Sequence, residues 1–582
     1  MAISTWQRGL AALAAATTIV TGASSAQAIL SVGEVQFHLI GRYETGIYTN
    51  GDGAAEIVAH DPGSQRLFVV NGIAKTIDVL DISNPTTPTL IAAISMAPFG
   101  NTANSVAVKN GIVAIAVEAV NKQANGQAVF FNANDATFDA SINSITVGAL
   151  PDMITFTPDG MKVFVANEGE PNSYNQIDSV DPLGSVSIID ISTGVASATV
   201  SHTDFTAFNG QEAALRAQGV RIYGPNASAA QDLEPEYIAI SPDGSKAYVT
   251  LQENNAIAII NVATGTIDKI VALGYKDHSL PGNGLDLSDR DGPGNAVKLG
   301  NIINAPVFGM YQPDGIATFE VGGKTFLITA NEGDAREYTG FEEEARINDI
   351  SNANLDPSLQ FLKSSNDTNR LTVTTAYGRT TDDGGGTNAT AEFDRLYALG
   401  ARSFTIWDDQ GVLVFDSGDQ FEQILKQLLP NDFNSTHNAG PSADNRSDNK
   451  GPEPESVTIS ILDDRIFAFI GLERIGGIMV YDVTDPSNPF FAGYANSRIF
   501  GATYNENSFP NAALLSSLGD LGPEGLIFIS AADSPTGRAM IVTANEVSGT
   551  IAIFGVAIIP EPATSMLGLA GLAALGLRRR RG

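Results

Sequence analysis

With 582 residues, 58 glycines and 27 prolines, the chain is long enough to bury a large core and carries few long helical patterns. It has no cysteine, which excludes disulfides and thiolate metal sites. A formal charge of −32 argues against nucleic acid and anionic lipid as partners and favours cations, although acidity also serves simply to keep an exported protein soluble.

Residues 1–28 have the layout of a secretory signal peptide: Arg8, an apolar run Leu10–Val20, and Ala26-Gln27-Ala28 ahead of Ile29. A repetitive body then runs from 29 to 557. Its clearest copy is EPEYIAISPDGSKAYVTLQENNAIAIINVATG at 234–265, three short runs alternating at period two and split by the turns SPDG and ENN. Seven copies can be counted from the residue that opens each first strand: Glu56, Asn104, Asp152, Glu236, Asp314, Glu455 and Glu524. Second strands such as RLFVVN, KVFVAN and AMIVTAN follow, then third strands such as TIDVLD, SVSIID and TIAIFG. Outer fourth strands, such as PTLIAAIS and PFFAGYAN, are weaker. The pattern predicts an all-β fold, a seven-bladed β-propeller with long loops on one face. The last unit has three strands, and VQFHLIGRYE ahead of the first unit is expected to complete it, closing the ring and removing an exposed edge. An open array of sheets or a pair of β-sandwiches is the alternative, and the regular spacing of the first copies disfavours it.

The long inserts have a pattern of their own. Segments 169–184 and 333–400 follow second strands, whereas 202–233, 266–312, 419–452 and 497–522 precede first strands. In a propeller both kinds of connection lie on one face, and loops held by a rigid scaffold are where binding usually sits. The carboxylates follow the same geometry. The residue opening the first strand is acidic in all copies but that of Asn104, which predicts a ring at the mouth of the central channel. Glu118, Glu168, Glu253, Glu332, Glu473 and Glu546 close second strands on that face, with Gly72 in the first copy. Like charges so placed raise one another's pKa unless cations or donors offset them. A carboxylate at a blade corner also has a purely structural use, accepting backbone N–H bonds that fix the turn.

Five scattered histidines and no HExxH leave little for zinc or copper, so oxygen ligation by Ca²⁺, ahead of Mg²⁺, is the cofactor expectation. GLDLSDRDGPGN at 284–295 supplies Asp286, Asp289 and Asp291, an Asp-rich loop without EF-hand spacing, for which an acidic surface turn is a commoner outcome than a calcium loop.

Residues 558–582 form the tail. Pro560-Glu561-Pro562, a short apolar stretch and four arginines resemble the PEP-CTERM sorting signal, which implies processing by exosortase in a Gram-negative-type bacterium. Membrane contact is expected only through this tail. In the body, NEGEPNSY (167–174), DLSDRDG (286–292), the long run YQPDGIATFEVGGKTFLITANEGDAREYTGFEEEARIND (311–349), LGARSFTIWD (399–408), FDSGDQFE (415–422) and NRSDNKGPEPESV (445–457) resemble the choice-of-anchor I family. The resemblance implies a propeller with a variable C-terminal anchor. Relatives have been labelled alkaline phosphatase-like, and an animal surface glycoprotein of mineralising cells is similar.

Two functions follow. One is a surface binding or scaffold protein whose acidic face holds a divalent cation and a matrix polymer or other partner. Its metal ligands would be drawn from Glu168, Asp314, Glu332, Asp334, Glu453 and Glu455, with Asp286, Asp289 and Asp291 in the separate loop. The other is a metal-dependent phosphoesterase acting on a phosphate ester, with Arg336, Glu337, Arg446 and Lys450 as its catalytic candidates, the cationic ones steadying phosphate charge in the transition state. No GxSxG or P-loop supports the enzyme. An ion-pair network pinning long loops explains the same residues.

Overall fold

The computed structural model describes residues 29–48, 53–379, 392–505 and 517–559. The signal peptide and the sorting tail read from the sequence lie outside them. Among the described residues no helix is long and apolar enough to cross a membrane.

The chain is mostly β and of the β-propeller type, built from repeated antiparallel sheets. The first sheet runs Val58–Asp61, Arg66–Asn71, Thr76–Asp81, Thr89–Ser95, each strand hydrogen-bonded to the next. Further sheets start at Ala103, Pro151, Ile238, Ile316, Pro454 and Pro523. The second strands are buried almost throughout, as in Lys162–Asn167, because both of their faces pack against a neighbouring sheet. Apolar clusters fill each gap. Phe68 and Val79 meet Val106 and Phe131 between the first and second sheets, and Val69 and Leu80 meet Ile529 and Val542 between the first and last. The first strands neighbour one another in chain order, and Pro523–Ile529 lies beside Val58–Asp61.

The N-terminal segment serves two sheets. Leu30–Gly33 pairs antiparallel with Phe490–Asn496, and Val35–Glu44 pairs antiparallel with Thr550–Ile558. Gly33 makes this crossing with φ 96°, and a Cβ there would stand 2.3 Å from the Ala492 carbonyl oxygen, so only glycine fits.

Two segments taken from the sequence as loop begin with strands. Thr199–Asp204 and Thr266–Ala272 are the outer strands of their sheets. The first of these is largely exposed, so no apolar alternation marks it. The other inserts also carry structure in their described residues. Tyr275–Asp277, Phe308–Met310 and Tyr397–Ala398 form a small sheet. Leu287, Val307, Ile347, Leu362, Leu371 and Phe393 build a separate apolar core beneath the long loops. The helix Gln420–Leu428 lays Phe421, Ile424 and Leu425, spaced for one face, onto the cluster between the fifth and sixth sheets.

Candidate functional site

The site grows out of one repeated rung. The backbone N–H of Glu118, Glu168, Glu473 and Glu546 donates to the carbonyl two residues before the opening residue of its own sheet: Thr102, Leu150, Glu453 and Gly522, at 3.0, 2.9, 2.8 and 2.8 Å. This rung ties the end of the second strand to the entry of the first, so both sets of carboxylates come to the same end of every sheet. They converge on a cavity of about 440 Å³. All seven residues that open the first strands line it, joined by Glu168, Glu332, Glu473 and Glu546. Among the described residues its wall carries twelve carboxylates and three cationic side chains, Lys122, Lys450 and Arg474.

The two sides of this mouth differ. On the fifth- and sixth-sheet side the protein brings its own cations. Lys450 Nζ donates to Glu332 Oε1 and to the Gly333 carbonyl, both at 2.5 Å, and stands 3.4 Å from Glu453 and 3.8 Å from Asp334. The two loops that carry the family phrases therefore meet. Arg446 Nε and Arg474 Nε donate to the two oxygens of the fully buried Glu453 at 2.7 and 3.1 Å. Burial pushes the Glu453 carboxyl up, but Arg446, Arg474 and Lys450 overcome it and hold the group well below the usual carboxylate range. Burial and then Glu332 push Asp314 up to about 8, and burial raises Glu473 to about 7 against the pull of Arg474.

On the third- and fourth-sheet side no ion pair to Glu168, Glu236 or Glu253 forms among the described residues, although Arg336 acts on Glu253 from a distance. One carboxylate oxygen each from Glu168, Glu236 and Glu253 lies within 4.8 Å of the others. Burial is the main cause that raises all three, with the neighbouring Glu170 next for Glu168 and Asp152 next for Glu236. Asp152 itself is pushed up to about 7 by burial and then by Glu170.

Of the residues singled out in the sequence, Glu168, Asp314, Glu332, Asp334, Lys450 and Glu455 line the mouth, and Glu453 lies directly behind it. Arg336 does not reach the cavity. It is 1% exposed, bonded to Asp232 and, at 2.6 Å, to Glu234 Oε2, with its guanidinium over the Tyr223 ring. Glu337 is exposed on a two-residue strand opposite Glu342. The Asp-rich loop also stands apart from the mouth. Asp286 is buried and accepts the Asn301 N–H at 2.6 Å, Asp289 is held by Arg370 at 2.7 Å, and Asp291 accepts the Lys298 N–H at 3.0 Å.

Sequence reasoning missed Arg474 and His437. Arg474 Nη1 meets His437 Nε2 at 2.6 Å, and a guanidinium only donates, so Nε2 carries the lone pair and Nδ1 the proton. That Nδ1–H faces Glu473 and Glu546 at 3.6 and 3.9 Å. In this tautomer His437 turns an N–H, not a lone pair, toward the glutamates, at distances beyond a hydrogen bond, and so offers no metal ligand there.

The choice-of-anchor I domain description matches residues 56–486. The chain belongs to this family. Gigasin-3a from Magallana gigas is 30% identical over 200 residues, covering 33% of this chain and 66% of that protein. The mesenchyme-specific cell surface glycoprotein of Strongylocentrotus purpuratus is 25% identical over 127 residues, covering 19% and 16%. The chain thus spans less than two thirds of either relative. Among solved structures, the WD40 domain of Toxoplasma gondii coronin matches with TM-score 0.43 and 8% identity over 91% of this chain and 88% of its own. The Cps50 (Swd1) β-propeller domain of Myceliophteria thermophila gives 0.38 and 8% over 90% and 100%. Likeness at this level says nothing of chemistry. Family and fold together fit a surface-associated β-propeller.

Proposed function

We propose that this choice-of-anchor I domain is a closed seven-bladed propeller, sealed by Val35–Glu44, whose acidic mouth binds a divalent cation, Ca²⁺ ahead of Mg²⁺. In this reading it acts as a binding or scaffold protein at the cell envelope, exported by its leader and delivered through exosortase processing of its tail. One observation carries the binding function: twelve carboxylates and only three cationic side chains line a single cavity. Oxygen-only walls suit hard cations. The cell-surface description of the sea-urchin relative agrees with an envelope location. A matrix polymer or other partner would then be held through the bound ion and the long loops around it.

Phosphate ester hydrolysis is the second reading, favoured by Lys450 and Arg474 in the cavity wall. Both cations are already engaged by carboxylates, and Arg336 is enclosed behind Asp232 and Glu234, which ranks this reading second.

The test uses chelator-treated protein spanning 29–557, melted with and without Ca²⁺ and assayed against a phosphomonoester and a phosphodiester. Ligand at about 100 times its Kd stabilises by about 2.7 kcal/mol. The expected result is a calcium-dependent rise in Tm, with no turnover of either ester. An unchanged melting curve with either ion overturns the cation reading. Metal-dependent turnover lost in Lys450→Met promotes the esterase.

A further inference from the structure

The acidic mouth is not uniform, and the difference assigns a place to the ion. This inference rests on the cation-binding reading above and locates the ion within it. On the fifth- and sixth-sheet side, Lys450, Arg446 and Arg474 already occupy the positions a metal would take among Glu332, Glu453 and Glu473. At the His437 side, the imidazole presents a proton to Glu473 and Glu546, as Arg474 dictates.

The remaining cluster is Glu168, Glu236 and Glu253. Glu168 ends a second strand, Glu236 opens a first strand and Glu253 follows the next second strand, so three rigid elements from two adjacent sheets aim at one point. Positive charge nearby is committed elsewhere. Arg336 is the cation that acts most on Glu253, yet its hydrogen bonds go to Asp232 and Glu234. Lys122 pairs with Glu118 at 3.7 Å, and Glu170 accepts the Tyr338 hydroxyl at 2.6 Å.

A second observation points to a ligand. Glu253 is 5% exposed, and its Oε2 is buried with no hydrogen-bond partner. A buried carboxylate oxygen left so costs several kcal/mol unless a proton or a cation meets it. The three oxygens lie within 4.8 Å of one another, close enough to share one ion at the about 2.3–2.6 Å that Ca²⁺ takes. We propose that Glu168, Glu236 and Glu253 form the calcium subsite of the mouth, and that Lys450 and Arg474 act as built-in counter-ions on the opposite wall.

The experiment is calcium titration of chelator-stripped full mature protein by calorimetry, with Tb³⁺ luminescence as a second readout. Tyr237 lines the same cavity beside Glu236 and serves as sensitiser. Glu→Gln keeps shape, so Glu253→Gln and Glu236→Gln are each compared with Glu342→Gln, exposed and outside the mouth. The expected result is roughly tenfold or greater loss of Ca²⁺ affinity and loss of Tb³⁺ emission in the first two, with Glu342→Gln nearly unchanged. Calcium binding that survives both Glu253→Gln and Glu236→Gln overturns this subsite while leaving the acidic-mouth reading standing. No calcium binding by the unmodified protein overturns both. Should Glu253→Gln fail to fold, the more exposed Glu236→Gln decides alone.

Discussion

Lys450→Met tests the claim that the protein neutralises half of its own mouth. The substitution removes the ammonium and keeps an apolar stem of similar length. Lys450 Nζ stands 2.5 Å from Glu332 Oε1 and 3.4 Å from Glu453 Oε2, with its side chain 10% exposed. Gross attraction at that shorter distance is about 7 kcal/mol for an effective dielectric constant of about 20. Desolvation takes back much of this, and breaking a buried pair by removing one partner costs about 3–5 kcal/mol. For a cooperative unit of about 500 residues the entropy of melting is about 1 kcal/mol per degree, so the expected fall in Tm is about 3–5 °C. Differential scanning calorimetry in chelator at neutral pH reads it directly. Adding Glu332→Gln to Lys450→Met is expected to recover part of the loss, because the stranded charge is then gone. A Tm within 1 °C of the parent, or a double variant worse than the single, would refute the argument that Lys450 stands in for a cation.

Three further outcomes are expected. Asp152, Asp314 and Glu473 have values raised to about 7, 8 and 7, above those of an unfolded chain. Their favourable contribution is complete below about pH 4 and is lost as pH rises through 7 to 8, so in chelator Tm should fall between pH 5.5 and pH 8.5, and Ca²⁺ should flatten that slope. A stability that rises over this interval in chelator contradicts the sign. Arg336→Met strands Asp232 and Glu234, both fully buried, and should cost about 3–5 kcal/mol and open the loop around position 336 to protease, which limited proteolysis reads. Deleting 29–44 bares the edges of Phe490–Asn496 and Thr550–Ile558, and size-exclusion chromatography should report self-association.

Where the sequence was explicit, local chemistry was enough. Turns such as SPDG and the period-two alternation around Tyr248 and Val249 place strand ends, and strand ends place Glu236 and Glu253. Thr199–Asp204 escaped because an exposed outer strand has no apolar face to display. The pairing of Leu30–Gly33 with Phe490–Asn496 joins residues some 460 positions apart and leaves no local mark. The same holds at the site. Nothing near Lys450 names Glu332, 118 residues away, as its partner, and nothing near Arg336 announces Asp232 and Glu234. An arginine in an acidic loop looks available for phosphate until the fold shows which carboxylates already hold it.

The repeated glutamates also separate structure from function. A turn-fixing role would require their carboxylates to accept backbone N–H bonds. The rungs at Glu168, Glu473 and Glu546 instead use their own N–H groups, which any residue but proline supplies. The first copy has Gly72 at this position. Glu118 is different: its Oε1 accepts the Asn101 side-chain amide at 2.5 Å, and there the carboxylate does hold the corner together. Folding alone therefore accounts for Glu118 but gives no reason for acidic side chains at 168, 253 and 546. These face the cavity or one another, burial raises the pKa of all three, and Glu253 Oε2 and Glu546 Oε1 lack hydrogen bonds. Alanine at 118 should destabilise the chain by about 1–3 kcal/mol. Alanine at 168 should leave stability in chelator equal or higher and remove the stabilisation by calcium. If both variants lose the same stability in chelator, the glutamates are corner fixtures throughout and the mouth needs no ion.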